Sequence, residues 1–145
     1  VAIGNGLLGL APDVAGAPLT IERILGVLFA PLAWSLGIDW AESGKAGYLL
    51  GVKLMLTEFI AFIQLGAVPA DEMSERTRMI LTYALCGFAN VGSVGITVTG
   101  LGVLMPERRA EISSLVWKAL VAGFLATCMT AAVVGAMPRE LFGIL

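Results

Sequence analysis

The chain contains no histidine. That excludes histidine-based catalytic triads, the usual zinc sites and histidine proton relays, and leaves carboxylates as the side chains that titrate near neutral pH. Only two cysteines are present, Cys86 and Cys128, each inside an apolar run. They predict neither a disulfide framework nor a metal pair, and read as small buried hydrophobes. Charge is scarce: 14% of residues against about 25% in soluble domains. No basic stripe with interleaved aromatics exists, which removes nucleic acid as a partner. The glycine-rich GFANVGSVG lacks the Gly-Lys-Ser/Thr ending of a phosphate loop. No serine–base arrangement and no paired carboxylates sit inside an apolar run, so the chain is not read as an enzyme. No internal repeat of 20–50 residues is seen, and no soluble domain.

What is abundant is apolar: 58% of the 145 residues, with a mean hydropathy of +0.91. The expectation is an all-α integral membrane protein. No positively charged region precedes the first apolar run, so a signal peptide is not expected. The abrupt start at VAIGNGLLGL reads as the end of a preceding helix, and the chain as one part of a larger protein.

The stretch Met79 to Met105 has 27 residues without a charge, more than the roughly 20 that cross a hydrocarbon core of about 30 Å. Its middle suits a helix poorly. Gly87, Gly92, Gly95, Gly100 and Gly102 interrupt it, and Asn90 and Ser93 place polar groups near mid-depth. In lipid, unwound backbone and buried polar groups persist only where protein or a watery cavity satisfies them. A span that is long enough but broken and polar at its centre points to a transporter substrate site. The competing reading is a glycine-rich packing helix.

Around this stretch the chain divides as follows. Residues 1–18 are the end of a preceding helix and a loop broken by Pro12, Gly16 and Pro18. Residues 19–41 form a transmembrane helix with Thr20 as N-cap, a kink at Pro31, and Trp34 and Trp40 at the interface. Residues 46–68 carry Lys53 and Glu58 inside an apolar run. A single span and a re-entrant hairpin turning near Thr57–Glu58 both remain open here. After the charged loop 69–78, with Ser74 near a helix start, the broken segment occupies 76–105. The connector 106–114 precedes the last transmembrane helix, 111–137, where Lys118 can snorkel. Arg108, Arg109 and Lys118 outnumber Arg76 and Arg78, which places the 106–114 loop in the cytoplasm.

Glu58 is the sharpest candidate, because a carboxylate at membrane depth is a functional-site hypothesis by default. Its structural alternative is pairing with Lys53, five residues away on an awkwardly related helical face. Asn90 and Ser93, three apart, read as neighbours on one face; their amide and hydroxyl can donate and accept, which suits sugar hydroxyls. Phe88 can supply an apolar or stacking wall for a base. The structural alternative for these residues is interhelical hydrogen bonding.

TYALCGFANVGSVGITVTGLGVLMPERR (82–109) closely resembles the signature of the concentrative nucleoside transporter family. TEFIAF (57–62) resembles that family's Asn-Glu-Phe motif, and 24–38 and 118–135 match its pattern in order. The resemblance covers essentially the whole chain. It implies the C-terminal half of an inverted-repeat transporter: a kinked helix, a re-entrant hairpin at 44–68, a broken transmembrane helix and a final transmembrane helix. It further implies a homotrimer in the plasma (inner) membrane, completed by an N-terminal half absent from this sequence. Substrate contact carries over to Glu58 for ribose hydroxyls, and to Phe88, Asn90 and Ser93 for the nucleoside. Two positions depart from the pattern: Thr57 replaces the usual Asn, and Lys118 stands where Arg is common. The implied function is cation-coupled nucleoside symport, with sodium or proton as coupling ion, no cofactor, and ion ligands outside this chain. A transporter or channel for another small polar solute, or a non-functional truncated fragment, is the alternative.

Overall fold

The computed structural model describes residues 20–138, together with Gly6 and Gly9. The expected helix end and loop at 1–18 therefore lie outside the described residues, those two glycines apart. Among the described residues all regular structure is helical. The elements are α1 (Ile21–Ser35), α2 (Trp40–Met55), α3 (Glu58–Ala67), α4 (Glu75–Leu85), α5 (Val91–Leu104), a short 3-10 turn (Pro106–Arg108) and α6 (Arg109–Ala136).

Several helix starts have a local cause. The Thr20 hydroxyl accepts from the Arg23 amide, Thr57 from Ile60 and Ser74 from Thr77, each relieving an orphan donor of a first helical turn. Pro31 is accommodated inside α1, which runs on to Ser35. The four glycines of the segment 91–104 do not break it; α5 is continuous through Gly92, Gly95, Gly100 and Gly102. Propensity is a weak prior, and where water is absent a backbone without internal hydrogen bonds costs far more than glycine's entropy. The interruption falls instead on Cys86–Asn90, between α4 and α5.

Lengths follow from the rise of 1.5 Å per residue. The 28 residues of α6 reach about 42 Å, whereas α2, α3, α4 and α5 reach only about 24, 15, 17 and 21 Å. Among the described residues the turn and helix Pro106–Ala136 form the one helical stretch long and apolar enough to cross a membrane.

The core gathers Leu36, Leu49, Leu50, Ile80, Leu81, Leu85, Phe124 and Cys128 between α1, α2, α4 and α6. The α1–α2 pair is packed so closely that a Cβ on Gly47 would lie 2.3 Å from the Gly26 carbonyl oxygen. Behind the break, α6 packs against both α4 and α5.

Three cations satisfy helix ends that belong to other elements. The Arg78 guanidinium donates to the carbonyls of Leu65, Val68 and Pro69, at and beyond the end of α3. Arg76 donates to Gly135 near the end of α6. The Lys53 ammonium donates to Ala84 at the end of α4. Each cation also sits favourably against the negative end of a helix dipole. On the polar rim, Lys45 pairs with Glu72 at 2.8 Å, and Glu42 accepts from the Ser74 amide and hydroxyl at 3.0 Å each. Burial tends to raise the Glu42 carboxyl, but hydrogen bonds from Thr77 and Ser74 and the charge of Lys45 outweigh it and hold it below its ordinary value.

Candidate functional site

Two helix N-termini meet at the site. Leu56 and Thr57 separate α2 from α3, so Glu58 becomes the first residue of α3. Cys86–Asn90 separate α4 from α5, so Asn90 becomes the N-cap of α5. An N-terminal first turn carries free amides and the positive end of the helix dipole, which favours a carboxylate and electron-rich ligand groups.

Asn90 is almost wholly buried, 2% exposed. Its Oδ1 accepts from the Ser93 amide at 2.8 Å, and its Nδ2 donates to Glu58 Oε2 at 3.4 Å. The amide thus caps its own helix while reaching across to the other break. Ser93 donates its hydroxyl to the Asn90 carbonyl at 2.6 Å, which leaves its oxygen as an acceptor. Asn90 and Ser93 are together, but not as neighbours on one helical face: Asn90 is extended backbone (φ −137°, ψ 161°) outside α5. The capping relation, not the 3.6-residue period, joins them.

Phe88 projects from the break with 67% of its surface exposed. With Ala89, Ser93 and Thr97 on one side and Val116, Leu120 and Gly123 of α6 on the other, it lines a cavity of about 180 Å³. The arrangement therefore offers a half-buried carboxylate at one break, and an amide with donor capacity, a hydroxyl oxygen and an aromatic face at the other. That set matches a ligand with hydroxyls at one end and a flat ring at the other.

Glu58 does not pair with Lys53. Lys53 is fully buried, and its ammonium donates to the Ala84 carbonyl at 2.7 Å and Thr127 Oγ1 at 2.8 Å, 5.4 Å from the centroid of the Phe124 ring. Thr127 has no place in the sequence expectation; a hydroxyl in the middle of a last apolar helix was the available signal. Cys86 departs from its expected burial. It lies at the end of α4, in the non-helical break, and is exposed, while Cys128 is buried as expected. A Cβ on Gly87 would come within 2.4 Å of the Thr127 methyl, so only glycine lets the break lie this close to α6.

A family model described as Na+ dependent nucleoside transporter C-terminus matches residues 1–135. The chain is 43% identical over 136 residues to YutK of Bacillus subtilis, called an uncharacterized transporter, covering 93% of this chain and 33% of YutK. It is 43% identical over 121 residues to nucleoside permease NupC of Helicobacter pylori, covering 81% of this chain and 29% of the permease. Among solved structures, CNTnw in an inward-facing substrate-bound state matches with 42% identity and a TM-score of 0.78, over 92% of this chain and 34% of that one. The chain spans about a third of the length of the bacterial curated relatives it matches. A family match along nearly the whole sequence, joined to a matching fold at substantial identity, leads to one conclusion: this chain belongs to the concentrative, Na+ dependent nucleoside transporter family of membrane proteins, in the part that forms their C-terminal region.

Proposed function

We propose that the chain is the C-terminal part of a cation-coupled nucleoside symporter, with Glu58, Asn90, Ser93 and Phe88 as its share of the substrate site. One observation carries this reading. The breaks at 56–57 and 86–90 bring a carboxylate and a capping amide to facing helix N-termini, within hydrogen-bonding reach of each other. In this reading Glu58 accepts from ribose hydroxyls, Asn90 donates its remaining amide hydrogen, Ser93 accepts, and Phe88 covers the base.

The membrane topology that goes with it is a transmembrane helix over 19–41, a re-entrant hairpin over 44–68, a broken transmembrane helix over 76–105 and a last helix over 111–137. The shortness of α2 and α3, each below about 30 Å of hydrocarbon, supports a hairpin that enters and leaves on one side. The same reasoning supports a span shared between α4 and α5. Exposed Trp117, Val121, Leu125, Met129 and Val133 form an apolar stripe along α6 that suits lipid or further protein. An N-terminal half, assembly as a homotrimer in the plasma (inner) membrane and a cytoplasmic 106–114 loop complete the proposal.

Transport would proceed by alternating exposure of a site near mid-membrane. Coupling requires that the cation bind with an affinity that differs with substrate occupancy. If the ion is a proton, Glu58 is the deeply placed carboxylate among the described residues that can carry it. The description of the matching family favours sodium, whose ligands then lie outside this chain.

The test is uptake of radiolabelled uridine into proteoliposomes by the full-length protein, with sodium and proton gradients imposed separately. Uptake driven by one gradient identifies both substrate class and ion. Folded protein that takes up no nucleoside under either gradient would refute the proposal.

A further inference from the structure

Lys53 is the largest fully buried side chain among the described residues, and nothing in the transport reading uses it. A buried ammonium is costly unless its donors are matched, so what it holds matters. Its first acceptor, the Ala84 carbonyl, would bond the amide of Phe88 if α4 continued as a helix. The break removes that amide, and the local bonds that remain are short loops: Cys86 to Tyr83 at 3.3 Å, and Gly87 to Leu85 and Ala89 to Gly87, both at 2.9 Å. Its second acceptor, Thr127 Oγ1, belongs to α6, which backs the break. The Phe124 ring covers it from the same helix. Glu58, Cys86 and Cys128 are the titratable groups near enough to act on it electrostatically.

Unwound carbonyls at the C-terminal end of a half-helix are the groups with which broken transport helices coordinate a coupling cation. Here a tethered ammonium takes that place. We infer that Lys53 is a positioning residue whose ammonium serves as a resident cation, pinning the 86–90 break so that Asn90 faces Glu58. The inference rests on the substrate-site reading for its effect on affinity, but its effect on the break itself does not.

The experiment uses the full-length transporter with Lys53→Met, which keeps length but removes the charge, and Lys53→Ala, which also opens space. Two quantities are read: hydrogen–deuterium exchange of the peptide covering 86–93, and the apparent affinity for uridine. Both variants are expected to exchange at least tenfold faster at 86–93, with α1 unchanged, and to bind uridine on the order of tenfold more weakly. Methylammonium added to Lys53→Ala should restore part of the protection and affinity, and should do nothing for Lys53→Met, whose side chain fills the space. A merely structural lysine would not give rescue by a small cation.

Should both Lys53 variants fail to fold, Thr127→Val keeps the shape and removes one acceptor. It is expected to raise exchange at 86–93 about threefold. Wild-type exchange in whichever of these variants folds, or absence of any methylammonium effect in folded Lys53→Ala, overturns the inference. Lost protection in a protein that never binds uridine would instead uphold the positioning role and refute the nucleoside reading.

Discussion

Replacing Glu58 by glutamine keeps size and one acceptor oxygen but removes the charge. In the structure the carboxylate is half-buried, receives one hydrogen bond from Asn90 at 3.4 Å and occupies the first turn of α3. The long contact to Asn90 leaves both oxygens with acceptor capacity for a ligand. A hydrogen bond from a ligand hydroxyl to a charged group contributes about 1.5–3 kcal/mol. Loss of the charge should therefore weaken nucleoside affinity by roughly 10- to 150-fold, at 1.4 kcal/mol per factor of ten. The same substitution removes a favourable charge from a helix N-terminus, worth about 0.3–1 kcal/mol, so the folded protein should survive. Glu58→Asp keeps the charge on a shorter arm and should fall between the two. The assay is uridine binding by isothermal titration on purified full-length protein, with thermal unfolding run on the same samples. If Glu58→Gln bound uridine with wild-type affinity, the assignment of Glu58 to the sugar would be wrong.

Gly47→Ala places a methyl 2.3 Å from the Gly26 carbonyl oxygen. Overpacking of this kind should cost about 1–3 kcal/mol, read as a lowered unfolding midpoint with uridine affinity retained in the folded fraction. Arg78→Met removes the guanidinium from the carbonyls of Leu65, Val68 and Pro69, of which Leu65 and Pro69 keep backbone bonds from Val68 and Glu72. It should lower stability by about 1–3 kcal/mol and speed proteolysis in the 66–74 segment; wild-type proteolysis would contradict the capping role. Glu42 has a folded-state pKa held below its ordinary 4.5. Its contribution is therefore present above that value and lost as the pH falls through the lower, folded-state value. Glu42→Gln should flatten the acid limb of the stability profile, and an unchanged limb would count against the Ser74 and Thr77 contacts.

Much of this was legible in the residues. A carboxylate at Glu58, inside an apolar run, marked a candidate site because a charge at membrane depth is costly to keep without a role, and the structure brings it beside Asn90. The composition led to a helical membrane protein, and the 82–109 motif led to the family. Local rules also found the caps at Thr20 and Ser74. They located the break in α4–α5 only in part, since five glycines looked alike and just Gly87 lies in it. What distinguishes Gly87 is the Thr127 methyl across from it, a contact between positions forty residues apart in sequence. Asn90 and Ser93 were paired by helical spacing, whereas an Asn before a glycine-rich apolar run is also an N-cap signal. Lys53 shows the limit most plainly. Its acceptors lie 31 and 74 positions away, and no periodicity or propensity reaches that far.

The distance from Lys53 to Thr127 also has a consequence for how the protein is made. During synthesis at about 5–20 residues per second, the lysine leaves the ribosome roughly 4–15 s before the threonine that receives it, 74 positions later. Arg76 waits similarly for Gly135, 59 positions on. A charged helix entering the bilayer without its acceptors carries a penalty of about 2.5–3.5 kcal/mol on insertion scales. In the proposed re-entrant topology, the arm bearing Lys53 is expected to wait at the insertion machinery or at the lipid headgroups until α6 emerges. Seating of the last helix would then commit the earlier ones to their final depth.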